Sequence, residues 1–466
     1  MFNTIGSPYK LGIGGIQNFS SHCDSSREAI KAELTGRLLF DVPQVNERLK
    51  VGSVDQILVD KCKESFFTVN DTAIRELNQL EEDAVDKKGD EKKGTKRETA
   101  MYPPLVSVKP SIAHNFITAN VSNYGQEKIF NYIQDIGEVE KNRPEGYRQF
   151  HNTKAGLLPE DSHTIGFPEI IPYFSLVRLS AEKTSRKWSD RDGFCEIKAT
   201  KGQGPKPANE QTVREIVSQA ADYARLHMSS RPFMLFSVGL LIFGSDFCLA
   251  IFDRSGVTFS PIKNMWTNTE DFIRAVISMT CLLSDVELGQ DPTALKLPPE
   301  VSRKINSDEY PSYLISPIVH YDKRKWCTIG RPMWSSLSLL SRGTVVWRVL
   351  EYIDGATPDP RSEKIIKTAW RDIGRTGEAR IYEAIQGKRP RGLADFLVGG
   401  DVMSASGKPI TVRLLRGDDD SCVTSEKTPV LHRVLLNSVG RPLWEYDSEL
   451  ELLKALRAAC LGEFCV

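Results

Sequence analysis

No stretch of this sequence approaches the ~20 consecutive apolar residues of a membrane-spanning helix. The longest apolar run, around FSVGLLIFG, has the length of a buried strand. The opening MFNTIGSPYKLGIGG has neither a positive start nor an apolar core, so it does not read as a secretory signal. Neither sign of charge dominates, because 61 Lys and Arg balance 61 Asp and Glu. A neutral chain is no polyelectrolyte binder as a whole, so contact with nucleic acid would need a local basic groove. The nine cysteines (Cys23, Cys62, Cys195, Cys248, Cys281, Cys327, Cys422, Cys460 and Cys465) form no C-x-x-C pair and no zinc spacing. They read as reduced thiols of an intracellular protein, in cytoplasm or nucleus, with no membrane partner.

What is present is a folded chain of 466 residues with 40% hydrophobic content, long enough for two to four domains. Residues 1–26 are polar and Gly/Ser-rich and predict a flexible tail. SREAIKAELTGRLLF then has helical spacing, with Ser26 as N-cap and Ile30, Leu34 and Leu38 on one face. VGSVDQILVDKCKESFF predicts mixed structure. Residues 81–98 (EEDAVDKKGDEKKGTKRE) are nearly all charge and glycine, which predicts a disordered insert within a domain.

The stretch 165–285 is the most regular. FPEIIPYFSLVRLS reads as a strand, SRKWSDRDG as a turn, and GFCEIKAT as a second strand. ANEQTVREIVSQAADYARLHM has helical periodicity, RPFMLFSVGLLIFGSDFCLAIFDRSG gives two strands broken at Gly-Ser-Asp, and TEDFIRAVISMTCLLS is a helix. Residues 286–333, with Pro-Pro and Tyr-Pro pairs, predict a linker. From 334 to 466, SLLSRGTVVWRVLEY, EKIIKTAWRD, PITVRLLRG and PVLHRVLLN read as strands. GEARIYEAIQG and SELELLKALRAACLG read as helices. The fold class is α+β, with an N-terminal domain over 27–285 and a second over 334–466.

Two groups of residues carry chemistry. Pro168-Glu169, then Glu196-Ile197-Lys198, then Gln219 on a helix resemble the PD-(D/E)xK restriction-endonuclease-like core. That resemblance implies a mixed α/β domain in which Glu169 and Glu196 hold magnesium and Lys198 positions the attacking water. Strand alternation puts Glu196 and Lys198 on one face. The family pattern carries Asp where Glu169 stands, which lengthens the ligand. Glu33 is a further acidic candidate, and Asp190 and Asp192 are rival ligands or turn formers. Asp253-Arg254 reads as a locally bonded turn. Trp188, Arg186, Lys187 and Arg191 form a small basic–aromatic cluster compatible with a phosphate-facing edge.

In the second half, SRGTVVW, IIKTAW, EARIYEAIQG, HRVLLNSVGRPLWEY and SELELLKALRAA occur in the order of a kinase small lobe. With EIKAT, QAADYARL, RPFMLFSVGLLIFG and IFDRSG upstream, the chain resembles fungal-type protein kinases over roughly residues 27 to 458. The resemblance implies an antiparallel sheet with one αC-type helix. It also implies a phosphate-pairing Lys367 held by Glu378, with Glu383 the alternative, and a nucleotide loop at Gly343. ATP and magnesium are the implied cofactors, and serine/threonine phosphorylation is the implied activity.

Only one glycine serves that loop, so nucleotide binding is expected to be weak. His432-Arg433 is followed by Val434 rather than an aspartate, and no D-F-G occurs. The sequence therefore predicts a truncated lobe, ending near the helix that precedes the catalytic loop, impaired in phosphoryl transfer and covered by a protein partner. A magnesium-dependent nuclease or nucleic-acid-binding module and a non-catalytic interaction protein are the alternatives.

Overall fold

The computed structural model describes residues 23–85, 100–101, 148–152, 172, 174–178, 187–209, 212–305, 310–316, 318, 322–336, 338–340, 342–353, 358–385, 393–417, 428–440 and 446–463. It is a mixed α/β fold in two compact units, which part in the sequence between Gly289 and Gln290.

The first unit opens with helix α1 (Cys23–Leu34), whose Ile30 and Leu34 are buried. The helix starts ahead of Ser26, so Ser26 lies in its first turn rather than at its cap. Leu38 belongs to the short strand β1 (Leu38–Leu39), not to the helix face, because it pairs with Val257. After α2 (Gln44–Arg48) comes α3 (Gln56–Val85), thirty residues where mixed structure was expected. Buried Val59, Cys62, Phe66, Ile74 and Leu77 recur at helical spacing and give it a core-facing stripe. Residues 81–85 of the expected disordered insert continue this helix, and 86–98 lie outside the described residues.

The sheet of this unit runs β1–β7–β6–β5–β4–β3–β2, with β8 (Lys263–Asn264) beside β6. Strands β2 (Arg148–Asn152), β3 (Phe174–Arg178) and β4 (Arg191–Lys198) form an antiparallel meander. Helix α4 (Glu215–Ser230) then crosses over to β5 (Ser237–Phe243), which pairs parallel with β4. A parallel neighbour requires such a crossover. Strands β6 (Asp246–Asp253) and β7 (Gly256–Phe259) follow as antiparallel hairpins. Helix α5 (Thr269–Ile277) passes into a π-turn at Ser278–Leu282, where the Ser278 hydroxyl donates to the Leu49 carbonyl.

Charge is buried inside this unit. Asp192, expected in a turn, is the second residue of β4 and is buried. It accepts from Arg148 Nε at 2.6 Å and pairs with Arg231 and with Arg178 at 3.3 Å. Arg148 also donates to the Leu283 carbonyl and to Asp285. Burial alone would raise the Asp192 carboxyl, but Arg231, Arg148 and Arg178 together hold it far below the ordinary carboxylate range. Nearby, His227 Nε2 lies 2.7 Å from the Arg191 carbonyl and Nδ1 lies 2.7 Å from Ser237 Oγ. A carbonyl only accepts, so Nε2 carries the proton. Burial first, then Arg231, push this imidazole down to about 3.

The second unit is a fully antiparallel sheet in the order β14–β15–β13–β12–β11–β10–β9. The expected linker 286–333 instead supplies β9 (Ala294–Lys296), helix α6 (Pro299–Ile305), β10 (Tyr313–Ile315) and most of β11 (Lys325–Ser335). Strands β12 (Val345–Tyr352) and β13 (Lys364–Asp372), helix α7 (Glu378–Ile385), and strands β14 (Phe396–Asp401) and β15 (Pro429–Leu436) follow. The expected strand at PITVRLLRG is instead helix α8 (Val412–Arg416). The Thr411 hydroxyl caps its start by accepting from Leu414 N–H, and Gly417 closes it at a left-handed φ of 78°. Helix α9 (Glu449–Glu463) is the last element. No helix among the described residues is long and apolar enough to cross a membrane.

Asp192→Asn leaves buried arginines without their counter-charge and should cost about 3–5 kcal/mol in urea unfolding. Asp192 and His227 both have depressed folded-state values, so the unfolded chain binds more protons on the acid side. The stability they supply is whole above pH 6.5 and is lost as pH falls, first through His227 between 6.5 and about 3. Asp192 adds its loss as pH falls through its ordinary value of 3.8 and beyond. A urea midpoint that stays flat from pH 6.5 to 3 would contradict this.

Candidate functional site

Strand β13 lies inside the second sheet, with Lys367 opposite Val346 of β12 on one side and Val434 of β15 on the other. Side chains alternate along it: Ile366, Thr368 and Trp370 are buried, while Lys367, Ala369 and Arg371 are partly exposed on the other face. Helix α7 begins six residues after β13 ends and brings Glu378 back to that face. Lys367 Nζ donates to Glu378 Oε2 at 2.7 Å and to Oε1 at 2.9 Å. About a third of each side chain stays exposed, so the pair is open to a ligand. Glu383, five residues on, is rotated roughly 140° around the helix. It is exposed and is not brought to Lys367.

The segment between β11 and β12 is the candidate phosphate loop. It leaves the sheet at Ser336, whose N–H donates to the Thr344 carbonyl at 2.9 Å, and re-enters at Val345. Gly343 takes a left-handed φ of 50° at the point of re-entry. The Arg342 carbonyl accepts from Trp370 N–H at 2.6 Å, and Leu339 is buried. Gly343 is therefore a turn residue bound into the sheet, and its neighbours are bulky where a phosphate cradle would use glycines.

A second polar network adjoins the pair. Arg371 sits on the same face of β13 as Lys367. Its guanidinium grips Asp401 of β14 at two points, Nε–Oδ1 3.1 Å and Nη2–Oδ2 2.6 Å. Asp401 Oδ1 lies 2.8 Å from His432 Nδ1 of β15. Burial would raise the Asp401 carboxyl, but the bonds from His432 and Arg371 outweigh it and hold it below its ordinary value. His432 Nε2 accepts from the Ala379 N–H of α7 at 3.2 Å. The His432-Arg433 pair is thus a pair of strand residues with opposite faces. Arg433 reaches the other way, to Thr368, Thr293 and buried Asp291. No aspartate follows this His-Arg pair in the sequence, where Val434 stands. The histidine's partner, Asp401, stands 31 residues earlier on a strand that was not anticipated.

The first unit holds the other candidates. Glu196 and Lys198 are buried on one face of β4, with Lys198 Nζ 3.6 Å from Glu196 Oε1. Glu169 lies outside the described residues, as does Arg186. Gln219 donates to Glu215 of its own helix at 3.2 Å, and Glu33 is exposed on α1. Asp192 is committed to arginines and is no rival metal ligand, while Asp190 ends a 3₁₀ turn. Asp253 accepts from Ser255 N–H at 2.8 Å in a local turn, and burial lowers Arg254 to about 10. Trp188 is buried and stacked on Tyr223 and Arg191 is buried, so these two members of the expected basic–aromatic cluster do not face solvent, while Lys187 is half-buried. Among the described residues no three His, Cys, Asp or Glu side chains gather as a metal-binding group.

A family model described as fungal protein kinase matches residues 174–463. The match takes in both units from β3 onward. The stretch 27–173 of the expected resemblance lies outside it, and it lends no support to a nuclease-like element. No curated protein and no solved structure matches the chain. Domains of kinase families use ATP with magnesium, positioned by a lysine on the third strand and its glutamate on αC. With well over half of its length matched, and the Lys367–Glu378 pair within that span, the chain belongs to the fungal protein kinase family.

Proposed function

We propose that residues 290–463 act as a protein-kinase-like small lobe that binds ATP with magnesium, in the service of serine/threonine phosphorylation. The observation that carries this reading is the doubly bonded Lys367–Glu378 pair, joined across a strand and the next helix and left partly open. A lysine so held presents its charge to the α- and β-phosphates at a fixed point. The run of antiparallel strands with one helix between the third and fourth of the last five supports the same assignment. Phosphoryl transfer also needs a catalytic-loop aspartate and a magnesium-binding D-F-G, and the 466 residues contain neither motif after β15. On this reading residues 290–463 bind nucleotide and do not by themselves turn it over.

Calorimetry of the full chain with ATP–Mg²⁺ tests the assignment. Lys367→Ala should weaken binding about tenfold or more, the worth of a charge-assisted bond. Equal affinity in wild type and variant would retire Lys367 as a nucleotide ligand. Sustained phosphate transfer to a protein substrate by the 466-residue chain would refute the reading that it binds nucleotide without turnover.

The exposed Leu450, Leu453 and Leu456 on α9 support a protein partner that covers this helix. The alternative of a purely non-catalytic interaction protein rests on this same surface.

A second reading rests on Glu196 and Lys198, a carboxylate and an ammonium buried together on one strand face. With Glu169 it would be a magnesium-dependent nuclease or nucleic-acid-binding module. Magnesium-dependent nicking of DNA or RNA that disappears in Glu196→Gln supports it. Nicking that persists in that variant discards the assignment.

A further inference from the structure

Helix α7 has eight residues, and a glycine stands at the position ahead of it, where a capping side chain would ordinarily sit. The residue ahead of it is Gly377, whose carbonyl accepts from Ile381 N–H at 3.2 Å but which has no side chain to offer the first turn. A helix start leaves several backbone N–H groups unsatisfied, and an N-cap oxygen ordinarily takes the one at the second or third position. Here the second helical residue is Ala379, and its N–H donates to His432 Nε2, contributed by a strand more than fifty residues later in the chain.

The surroundings are built to keep that nitrogen an acceptor. Asp401 faces Nδ1, and a carboxylate can only accept, so the proton sits on Nδ1 and Nε2 is bare. Asp401 is held in turn by the Nε and Nη2 edge of the Arg371 guanidinium. The same guanidinium donates through Nη1 to the carbonyls of Asp372, Ile373 and Arg375, which form the turn between β13 and α7. One arginine thus ties the turn into the helix, the aspartate and the histidine together. Space is matched to this arrangement. A Cβ on Gly377 would come 3.0 Å from His432 Cε1 and 3.3 Å from Arg371 Nε. A Cβ on Gly399 would come 2.6 Å from Val434 Cγ1 and 3.1 Å from Ala379 Cβ. Glu378 is the residue immediately before the bonded amide.

We propose that His432 is the positioning residue of the Lys367–Glu378 pair: its Nε2 caps α7 in place of a side chain at Gly377, and Arg371 with Asp401 fixes the tautomer that makes it a cap. The inference rests on the reading of Lys367 and Glu378 as a nucleotide site for its consequence, though not for its geometry.

Two substitutions separate the cap from the rest of the ring. In His432→Gln the amide oxygen falls where Nε2 was and can still accept from Ala379, while the Nδ1 donor is lost. In His432→Asn the amide falls where Nδ1 was and can still donate to Asp401, while the cap is lost. Amide hydrogen exchange over 378–385 and ATP–Mg²⁺ calorimetry are read together on the full-length chain. His432→Asn should speed exchange at Ala379 about three- to thirtyfold, the span of a lost N-cap, and weaken ATP–Mg²⁺ by a similar factor. His432→Gln should stay within about twofold of wild type, on the same cap reasoning. Equal loss in both variants, or a better-preserved His432→Asn, would overturn the proposal, because the bond to Asp401 would then be what matters.

If the wild type binds no nucleotide, the nucleotide reading falls and the exchange pattern alone decides the cap. If neither variant folds, ¹⁵N-histidine spectra of the wild type decide it. A His432 ring protonated on Nδ1 and bare on Nε2 is the expected result, and the opposite tautomer overturns the proposal.

Discussion

Eight residues are too few for a helix to hold itself together in water, since nucleating the first turn costs more than so short a ladder returns. Helix α7 therefore exists where it does because other elements hold it there. Its glutamate meets Lys367, the amide of its second residue meets His432, and its Ala379 packs where Gly399 leaves room. Each of these anchors is fixed by the pleat of a strand. The period of two along β13 puts Lys367 and Arg371 on one face, and that single alternation serves both networks. A shift of one residue in the pairing of β13 with β15 would turn both cations away from the helix.

The two units place their charge differently. In the first, Asp192 and the arginines around it are withdrawn from water, and their attraction offsets a desolvation cost that grows with burial. Such a cluster specifies which strand lies beside which. In the second, Lys367 and Glu378 stay a third exposed, so water still reaches them and their mutual attraction is modest. For the proposed nucleotide site a modest bond is the useful kind, because a phosphate could share the lysine without first breaking a dry ion pair.

Much of this was legible in the sequence where chemistry is local. The apolar–apolar–Lys run at Ile365, Ile366 and Lys367 and the helical spacing from Glu378 are properties of adjacent residues. The hairpin broken at Gly244 and Ser245 is another. What escaped reading depended on partners far along the chain. Asp192 stands in SDRDG, a cluster of turn formers, and only burial against Arg148 and Arg231 makes it a strand residue. Strand β14 carries Gly399-Gly400, which reads as a breaker until Val434 and Ala379 are seen to need the space. Helix α3 was obscured because its charged residues outnumber the apolar stripe that packs it. At Thr411–Gly417 β-type residues were overruled by caps at both ends. Glu196 and Lys198 show the converse case: alternation correctly implied a shared face, but it could not reveal what else gathers there.

The buried bond from Arg433 to Asp291 has a consequence in time. It joins residues 142 apart, and the Thr293 hydroxyl is tied into the same guanidinium from nearly as far. A contact of that span forms only after a long loop has closed, and the entropy of that closure falls on the barrier to folding. The start of the second unit is synthesised before the rest of it, yet a buried partner of Asp291, just ahead of β9, arrives with the last strand. Until β15 emerges, the carboxylate of Asp291 waits for its counter-charge, and this half of the chain reaches its native order late.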